Sequence, residues 1–294
     1  MLKILIFGAG SIGTFLGTKL YASGHQVFLY GRRKLNSLNK EIFVSGKLYQ
    51  LPPRCHKIQA NDSYNAIFVT TKLYDVKNAL AELRTYHLNP QIIVFIQNGI
   101  VEPDFYEGFQ NHQGFTTISI FNGYHVVDNQ IFVKESNLGW QLEDSITGQK
   151  IYKLLKQAGI QCKIASNIAQ IRAQKLIANA ALNALSAIEQ KTIGELISDA
   201  NFKKIVDGII RESWSVLRED YQLPTLASLR KTIYELSVQV SSHYSSMYQD
   251  LISGRKTEIE FLNGLIIRLG LEKGIPTPYN QRVYFKLLDK IKTG

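Results

Sequence analysis

The sequence contains few cysteines and no long apolar segment. Only two of its 294 residues are cysteine, Cys55 and Cys162, and they lie far apart in the chain. Two such thiols supply neither a disulfide framework nor a metal-ligand spacing. We therefore predict no metal site and two buried or half-buried thiols in a cytoplasmic protein. No apolar run reaches the ~18 residues of a membrane span, so no membrane association is expected. The first residues form a predicted strand rather than a signal peptide.

Acidic residues are fewer than basic ones, 24 against 34, which gives a net charge of +10. The lysines and arginines are dispersed, and no nucleic-acid motif accompanies them, so a nucleic-acid partner is not expected. A positive surface also suits an enzyme that binds an anionic cofactor and a carboxylate substrate. The length is comfortable for two domains, and 45% hydrophobic residues are ordinary for a globular protein.

The most specific motif is a glycine-rich turn that follows an apolar strand near the start of the chain. Gly8 permits a tight strand-to-helix turn, Gly10 lets the backbone approach a pyrophosphate, and Gly13 lets the next helix pack on the strand. A helix over 11–22 and a strand over 26–30 complete a predicted βαβ unit. Glycine-rich turns are common by themselves, but this context favours a dinucleotide site.

The residues after the second predicted strand favour NADP(H) over NAD(H). The stretch 29–34 contains no carboxylate of the kind that binds the ribose hydroxyls of NAD. Arg32 is predicted to bind a 2′-phosphate, assisted by one of the two basic residues after it. The alternative is a solvated basic turn. The amides that open the preceding helix, at Ser11 and Ile12, are expected to face the pyrophosphate.

The order of predicted elements indicates an α/β fold in two domains. Residues 1–166 are predicted to form a doubly wound, NADP-binding Rossmann domain, and residues 167–294 an all-helical substrate and catalytic domain. The boundary is placed near Ser166-Asn167, where strand signals stop. Besides the first strand, the predicted elements of the first domain cover 11–22, 26–30, 66–70, 76–86, 92–96, 116–121, 131–133, 138–142, 145–157 and 161–164. The predicted helices of the second cover 168–188, 193–197, 202–221, 225–241, 243–253, 258–273 and 279–292.

Two polar residues follow predicted parallel strands, at the edge where such sheets bind ligands. Lys72 follows the strand 66–70 and is placed to meet a cofactor phosphate or to steer an anionic substrate. Asn98 follows the strand 92–96 and offers a donor and an acceptor to the nicotinamide ribose. Each is equally consistent with an ordinary solvated loop residue.

The predicted helix that opens the second domain carries a polar stripe. Lys175, Asn179 and Asn183 are spaced four apart on an otherwise apolar segment, so they share one face. Asparagine is a poor helix former, so two on one face call for an explanation. A solvent-facing stripe is one interpretation. The other is a polar wall of a cofactor cleft, in which Lys175 protonates a carbonyl oxygen.

A third cluster lies between residues 245 and 260. Thr257 and Glu260 have the T-x-x-E spacing of a capping box at the start of a helix. That pairing leaves Glu258 without a structural role. A carboxylate in a first helical turn is also favoured by the helix dipole alone, so both interpretations stay open.

The motifs together resemble ketopantoate reductases (2-dehydropantoate 2-reductases), and the resemblance runs from the first residues to about Pro278. It implies NADPH-dependent reduction of 2-dehydropantoate, a small 2-keto acid, to pantoate on the route to coenzyme A. The segment 121–127 and the residues 172–174 depart from the family pattern, which leaves the choice of 2-keto acid open. The matching residues are Gly8-Ala9-Gly10-Ser11-Ile12-Gly13, Arg32, Lys72, Asn98-Gly99, Lys175 with Asn179 and Asn183, Ser245-Ser246-Met247 and Thr257-Glu258-Ile259.

The resemblance also implies a role for each site residue. Lys175 would be the general acid, and Glu258 would hydrogen-bond the substrate hydroxyl. Arg32 and Lys72 would bind the cofactor phosphates, and Asn98 would lie near the nicotinamide ribose. The remaining polar residues would bind the substrate, with Asn179 and Asn183 orienting its oxygens and Ser246 contacting its carboxylate.

Three functional hypotheses follow. The first is a 2-keto acid reductase, most simply a ketopantoate reductase. The second is a related dehydrogenase of 3-hydroxy acids or sugar acids, which would not require Glu258. The third is a non-catalytic NADPH-binding sensor, which would have no use for the stripe at Lys175. A homodimer through the helical domain is compatible with the pattern but not required by it.

Overall fold

The computed structural model describes residues 1–31, 40–100, 103–106, 108–127 and 130–293. The chain divides into two compact units. Unit 1 consists of Met1–Asn98 with Glu102–Ile168, and unit 2 consists of Gly99–Val101 with Ala169–Gly294. The chain therefore enters unit 2 briefly after Asn98, returns to unit 1, and enters unit 2 again at the start of its helices.

Unit 1 contains twelve strands and three α-helices among its described residues. The first half of these comprises β1 (Lys3–Phe7), α1 (Ser11–Ala22), β2 (Gln26–Tyr30), β3 (Glu41–Val44), β4 (Lys47–Gln50), β5 (Arg54–Cys55), β6 (Ala66–Val69), α2 (Leu73–Thr85) and β7 (Ile92–Phe95). Two short 3₁₀ turns, Pro103–Tyr106 and Phe109–Asn111, follow. The remainder comprises β8 (Phe115–Ile120), β9 (Gly123–Val127), β10 (Gln130–Lys134), β11 (Trp140–Glu143), α3 (Ile146–Gln157) and β12 (Cys162–Ala165).

Eight strands form one sheet in the order β12-β11-β8-β7-β6-β1-β2-β5. Its neighbours are parallel except β8 and β11, which are antiparallel. Helices cover both faces. On β2, Leu29 lies so close to α1 that a Cβ on Gly17 would be 2.6 Å from its Cδ2. The next residue, Tyr30, points to the opposite face and donates its hydroxyl hydrogen bond to Glu82 of α2. The predicted doubly wound Rossmann sheet is confirmed.

A second sheet, in the order β4-β3-β10-β9, was not predicted as such. Of its strands, only the segment within β10 was predicted from the sequence. β3 and β10 pair in parallel, with Phe43 opposite Gln130 and Val44 opposite Ile131. Ile42, Val44 and Ile131 are buried, so one face of this sheet completes the apolar core of unit 1.

Unit 2 is helical throughout its described residues. Its helices are α4 (Ile168–Glu189), α5 (Ile193–Ser198), α6 (Ala200–Leu217), α7 (Leu226–Gln239), α8 (Ser246–Ile252), α9 (Asn263–Glu272) and α10 (Pro278–Thr293), with a 3₁₀ turn at Ile259–Phe261 before α9. Several begin at polar caps, as expected for orphan amides at helix ends. Asp199 accepts hydrogen bonds from the Asn201 and Phe202 amides, and Thr192 and Glu195 form a capping box at α5.

The predicted helix over 258–273 is wrong in its first turn. Residues Ile259–Phe261 are 3₁₀, and Leu262, with φ −111° and ψ −95°, separates them from α9. The predicted Thr257–Glu260 capping box is also absent, because Glu260 accepts a 2.6 Å hydrogen bond from the Tyr284 hydroxyl instead. Tertiary contact with α10 therefore overrides the local T-x-x-E pattern.

The two cysteines behave as expected. Both are free thiols, and Cys162 is buried while Cys55 is half-buried. Burial raises the pKa of Cys162 to about 11, so this thiol stays protonated and unreactive at neutral pH. Among the residues that the structure describes, no helix combines the length and the apolar character needed to cross a membrane.

Candidate active site

The glycine turn between β1 and α1 is held by contacts that exclude side chains at two of its three glycines. Gly8 has φ +124°, and a Cβ there would lie 2.8 Å from Oγ1 of Thr70. A Cβ on Gly13 would lie 1.9 Å from the Gly8 carbonyl oxygen. Thr70 donates its hydroxyl to that same carbonyl at 2.6 Å. Packing within unit 1 thus requires glycine at positions 8 and 13.

Gly10 differs from the other two glycines, since a Cβ there would meet nothing within 4 Å. It is exposed, and it is the N-cap of α1, where it provides no side chain to cap the first turn. No contact within the described chain requires a glycine at this position. The open space fits a ligand group that approaches the backbone closely, as the pyrophosphate of a dinucleotide does. Ser11 and Ile12 open the helix here and are half-buried.

Arg32, predicted to select the 2′-phosphate, lies outside the described residues. The strand before it is as predicted, since β2 ends at Tyr30. Gly31 follows directly, and a Cβ on it would lie 2.9 Å from Cβ of Ala9 in the glycine turn. The chain therefore leaves β2 beside the turn, which is the place where a dinucleotide fold holds the adenosine ribose.

Two loops at the carboxyl ends of β6 and β7 are joined by Gln97, a residue that the sequence analysis overlooked. Its buried amide nitrogen donates to the Val69 carbonyl at 2.7 Å and to the Thr71 carbonyl at 3.3 Å. Lys72 is then the half-buried N-cap residue of α2, and Asn98 is half-buried after Gln97. Gln97 thus holds the two loops that carry these predicted cofactor residues. A polar residue directly after a fully apolar strand was the available signal.

In unit 2, the predicted stripe lies along one face of α4. Lys175, Asn179 and Asn183 are all half-buried, which is inconsistent with a fully solvated stripe. The opposite face of α4 is anchored in the core of unit 2. There Leu176, Ile177, Ala180, Ala181 and Ala184 are completely buried or nearly so.

The charge of Lys175 is controlled by its surroundings. Its pKa is lowered to about 8, chiefly by burial and also by the like charge of Arg172, whereas the Glu258 carboxylate acts in the opposite direction. Glu258 is itself only 6% exposed. A lysine whose pKa lies near the working pH can both give and regain a proton, which is what general acid–base catalysis requires.

Two consecutive serines at the start of α8 have different surroundings. Ser245 is buried, caps α8 by accepting a hydrogen bond from the Tyr248 amide at 3.1 Å, and donates to the Asn183 carbonyl at 2.9 Å. It therefore ties α8 to the polar face of α4. Ser246, the predicted substrate residue, is exposed and has its hydroxyl on the surface next to that junction.

The segment between α8 and the 3₁₀ turn, which carries Glu258, is held by an ion pair. Asp250 is 4% exposed and accepts a hydrogen bond from Nε of Arg255 at 2.9 Å. The Arg255 amide in turn donates to the Asp250 carbonyl at 2.8 Å. These bonds fix the chain three residues before Glu258, so a carboxylate far along the sequence is brought to act on Lys175.

A buried polar network behind α4 was not predicted. Glu212 accepts hydrogen bonds from the Tyr279 and Asn280 amides, which open α10, and from the Asn280 side chain at 2.8 Å. Asn263 donates to the Asn280 side chain and to the Ala180 carbonyl, both at 3.0 Å. The network links α6, α9 and α10 to the helix that carries Lys175. A carboxylate on the apolar face of α6 was the signal in the sequence.

Comparison with known proteins identifies relatives of both units. The model of a family described as "Ketopantoate reductase PanE/ApbA" matches residues 4–133. Its companion, "Ketopantoate reductase PanE/ApbA C terminal", matches residues 167–290. The curated 2-dehydropantoate 2-reductase of Archaeoglobus fulgidus is 27% identical over 99% of this chain and 98% of its own length.

Solved structures agree in fold. A PanE/ApbA family ketopantoate reductase from Ralstonia eutropha has a TM-score of 0.86 at 24% identity, over 99% of this chain and 100% of its own. A D-mandelate dehydrogenase solved with NADH and anilino(oxo)acetate has a TM-score of 0.88 at 23% identity, over 99% of each chain. At these identities the likeness establishes the fold.

Proposed function

We propose that this chain, which belongs to the ketopantoate reductase family of oxidoreductases, reduces 2-dehydropantoate to pantoate with NADPH. The observation that carries the proposal is that the buried carboxylate of Glu258 acts electrostatically on Lys175, which lies on the polar face of α4. Such a pair supplies an acid of suitable pKa and an acceptor for a substrate hydroxyl. Curated relatives of nearly the same length bear the name of this activity.

The residues of unit 1 fit a dinucleotide. Gly8 and Gly13 shape the turn, and Gly10 leaves open space above it. The amides of Ser11, Ile12 and the rest of the first turn of α1 would bind the pyrophosphate. Lys72 and Asn98 would bind a phosphate and the nicotinamide ribose. NADP(H) is favoured over NAD(H) because residues 29–34 contain no carboxylate and include Arg32.

In the reaction, the residues of unit 2 would stabilise the negative charge that forms on the substrate. The reduced nicotinamide, when bound, supplies the hydride to the keto carbon. As negative charge develops on the keto oxygen, the Lys175 ammonium stabilises it and donates the proton. Glu258 accepts a hydrogen bond from the substrate hydroxyl, and its negative charge opposes the loss of the proton from Lys175.

The other polar residues orient the substrate. The side chains of Asn179 and Asn183 present donors and acceptors along the same face of α4 as Lys175. The exposed hydroxyl of Ser246 would bind the carboxylate. Ser245 would not contact the substrate itself. Its hydrogen bond to the Asn183 carbonyl fixes α8 against this face of α4.

Oxidation of NADPH, followed at 340 nm with 2-dehydropantoate, tests the proposal. Simpler 2-keto acids and NADH are run in parallel. Rapid turnover only with NADPH and 2-dehydropantoate is the expected result. Turnover with a different 2-keto acid alone would assign another substrate to the same site, and the divergent segment 121–127 would then be the first region to examine.

Tight NADPH binding without turnover on any 2-keto acid would instead indicate a sensor. Activity on a 3-hydroxy acid that survives Glu258→Ala would indicate the related dehydrogenases. A homodimer, a cytoplasmic location and the absence of a nucleic-acid partner stay predictions, and the first is checked by sedimentation of the purified chain.

A further inference from the structure

Arg172 lies one helical turn before Lys175 on α4 and is half-buried. Its guanidinium donates two hydrogen bonds to one acceptor, the carbonyl of Gly99, from Nε at 3.3 Å and from Nη2 at 3.1 Å. Gly99 has φ +83°, a backbone conformation that glycine adopts readily. The departure from the family pattern at 172–174 therefore makes a specific contact in this chain.

We propose that Arg172 is a positioning residue for the reaction, acting through the Gly99 carbonyl and through a fixed positive charge one turn from Lys175. The proposal rests on the proposed function, because it takes Lys175 as the general acid. Arg172 itself is not assigned a contact with substrate or cofactor.

The positioning part follows from the two hydrogen bonds. A planar guanidinium that binds one carbonyl through two nitrogens restrains both the distance and the direction of that carbonyl. Gly99 is covalently bonded to Asn98, the residue proposed to bind the nicotinamide ribose. Arg172 therefore anchors the residue that follows Asn98 to the helix that carries Lys175.

The electrostatic part follows from what surrounds Lys175. The charged groups that act on it are Arg172 on the same helix and Glu258 from the segment before α9. Within the part of the chain that the structure describes, no carboxylate forms an ion pair with Arg172. Residues three apart on a helix lie close together. Arg172 consequently adds to the effect of burial and lowers the pKa of Lys175, while Glu258 opposes it.

The sign of the pH effect is determined by the role of Lys175 as an acid. Reduction requires the protonated amine, so kcat/KM should fall as the pH rises through its pKa, near 8 in the native protein. Removing the charge of Arg172 raises that pKa. The alkaline limb of the pH profile then moves to higher pH.

The test compares the full-length protein with Arg172→Gln and Arg172→Lys. Arg172→Gln should shift the alkaline limb upward by roughly half a pH unit or more and lower kcat. Arg172→Lys keeps the positive charge but loses the two guanidinium hydrogen bonds to Gly99. The alkaline limb of its pH profile should therefore stay in place while kcat falls roughly three- to tenfold. Arg268→Gln, which removes an exposed arginine paired with Glu272 on α9, is the control and should change neither.

A second measurement keeps the electrostatic part independent of turnover. Competitive labelling of lysines with acetic anhydride across a pH range, read by mass spectrometry, gives the pKa of Lys175 in each variant. If Arg172→Gln had the same alkaline limb of the pH profile and the same labelling curve as the wild-type protein, the charge effect would be overturned. A wild-type kcat in Arg172→Lys would overturn the positioning role. If the proposed function itself fails, no substrate is turned over, yet the labelling shift is still expected.

Discussion

The two units hold their predicted site residues in place in different ways. In unit 1, the glycines of the turn lie within six residues of one another, and Gly8 and Gly13 are fixed by contacts with each other and with Thr70, which follows the neighbouring strand β6. In unit 2, Lys175 and Glu258 are separated by more than eighty residues and are brought together by a serine cap, an ion pair and a buried polar network. The glycine turn of unit 1 is thus specified locally, whereas the surroundings of Lys175 in unit 2 are specified by tertiary structure.

The chain has two tryptophans, one in each unit, which allows the units to be followed separately. Trp140 on β11 donates its indole hydrogen bond to the Tyr124 hydroxyl at 2.7 Å. Trp214 on α6 donates to the Pro224 carbonyl at 2.8 Å. Replacing either by phenylalanine leaves a single tryptophan as reporter, so the unfolding of each unit can be followed separately.

The largest effect is expected from Lys175→Ala. Loss of the proposed general acid should lower kcat by roughly 10²–10⁴-fold, while NADPH binding, for which unit 1 supplies the proposed residues, should survive. The measurements are NADPH oxidation at saturating substrate and fluorescence titration of the cofactor. Lys231→Ala, at an exposed lysine on α7, is the control. Normal turnover by the Lys175 variant would remove this residue from the mechanism.

A matched pair of glycine variants separates folding from binding in unit 1. Gly13→Ala places a methyl group 1.9 Å from a carbonyl oxygen, so we expect a loss of about 3 kcal/mol or more of stability, seen by Trp140 in urea. Gly10→Ala places its methyl group in open space, so stability should be unchanged while NADPH affinity falls. Equal stability of the two variants would contradict the packing argument, and undiminished affinity in the second would contradict a pyrophosphate at Gly10.

The smallest of these effects concerns the buried network of unit 2. Glu212→Ala leaves the half-buried amide of Tyr279 and the buried amide of Asn280 without their acceptor, which should cost about 2–4 kcal/mol in urea unfolding followed by Trp214. Glu235→Ala removes an exposed carboxylate that pairs with Lys231 and should cost at most about 0.5 kcal/mol. The hypothesis of a structural network fails if the two variants unfold at the same urea concentration.

The same contrast explains what could be predicted from sequence. α1 and β2 were predicted with correct bounds because an apolar period, a glycine turn and short connections specify them locally. Lys175, Asn179 and Asn183 were placed on one face because helical spacing alone determines that arrangement. Their catalytic and binding roles stay predictions.

Contacts between distant segments were beyond local patterns. The T-x-x-E spacing at Thr257 predicted a cap, but the Tyr284 hydroxyl, 24 residues further on, binds Glu260 instead. The small sheet was missed because β3 pairs with β10, nearly ninety residues later. The Arg172 contact with Gly99 spans 73 residues, and no sequence period indicates it.

The short segment 99–101, which belongs to unit 2 although unit 1 continues after it, has a consequence for the order in which contacts form during synthesis. Ile100 packs against the core of the helical unit, and the Gly99 carbonyl is held by α4. Both residues leave the ribosome some seventy residues before that helix exists. During synthesis of the rest of unit 1, both residues therefore lack their contacts with the helical unit. A fragment of residues 169–294 would lack both contacts, so we expect it to be less stable than the helical unit of the intact chain.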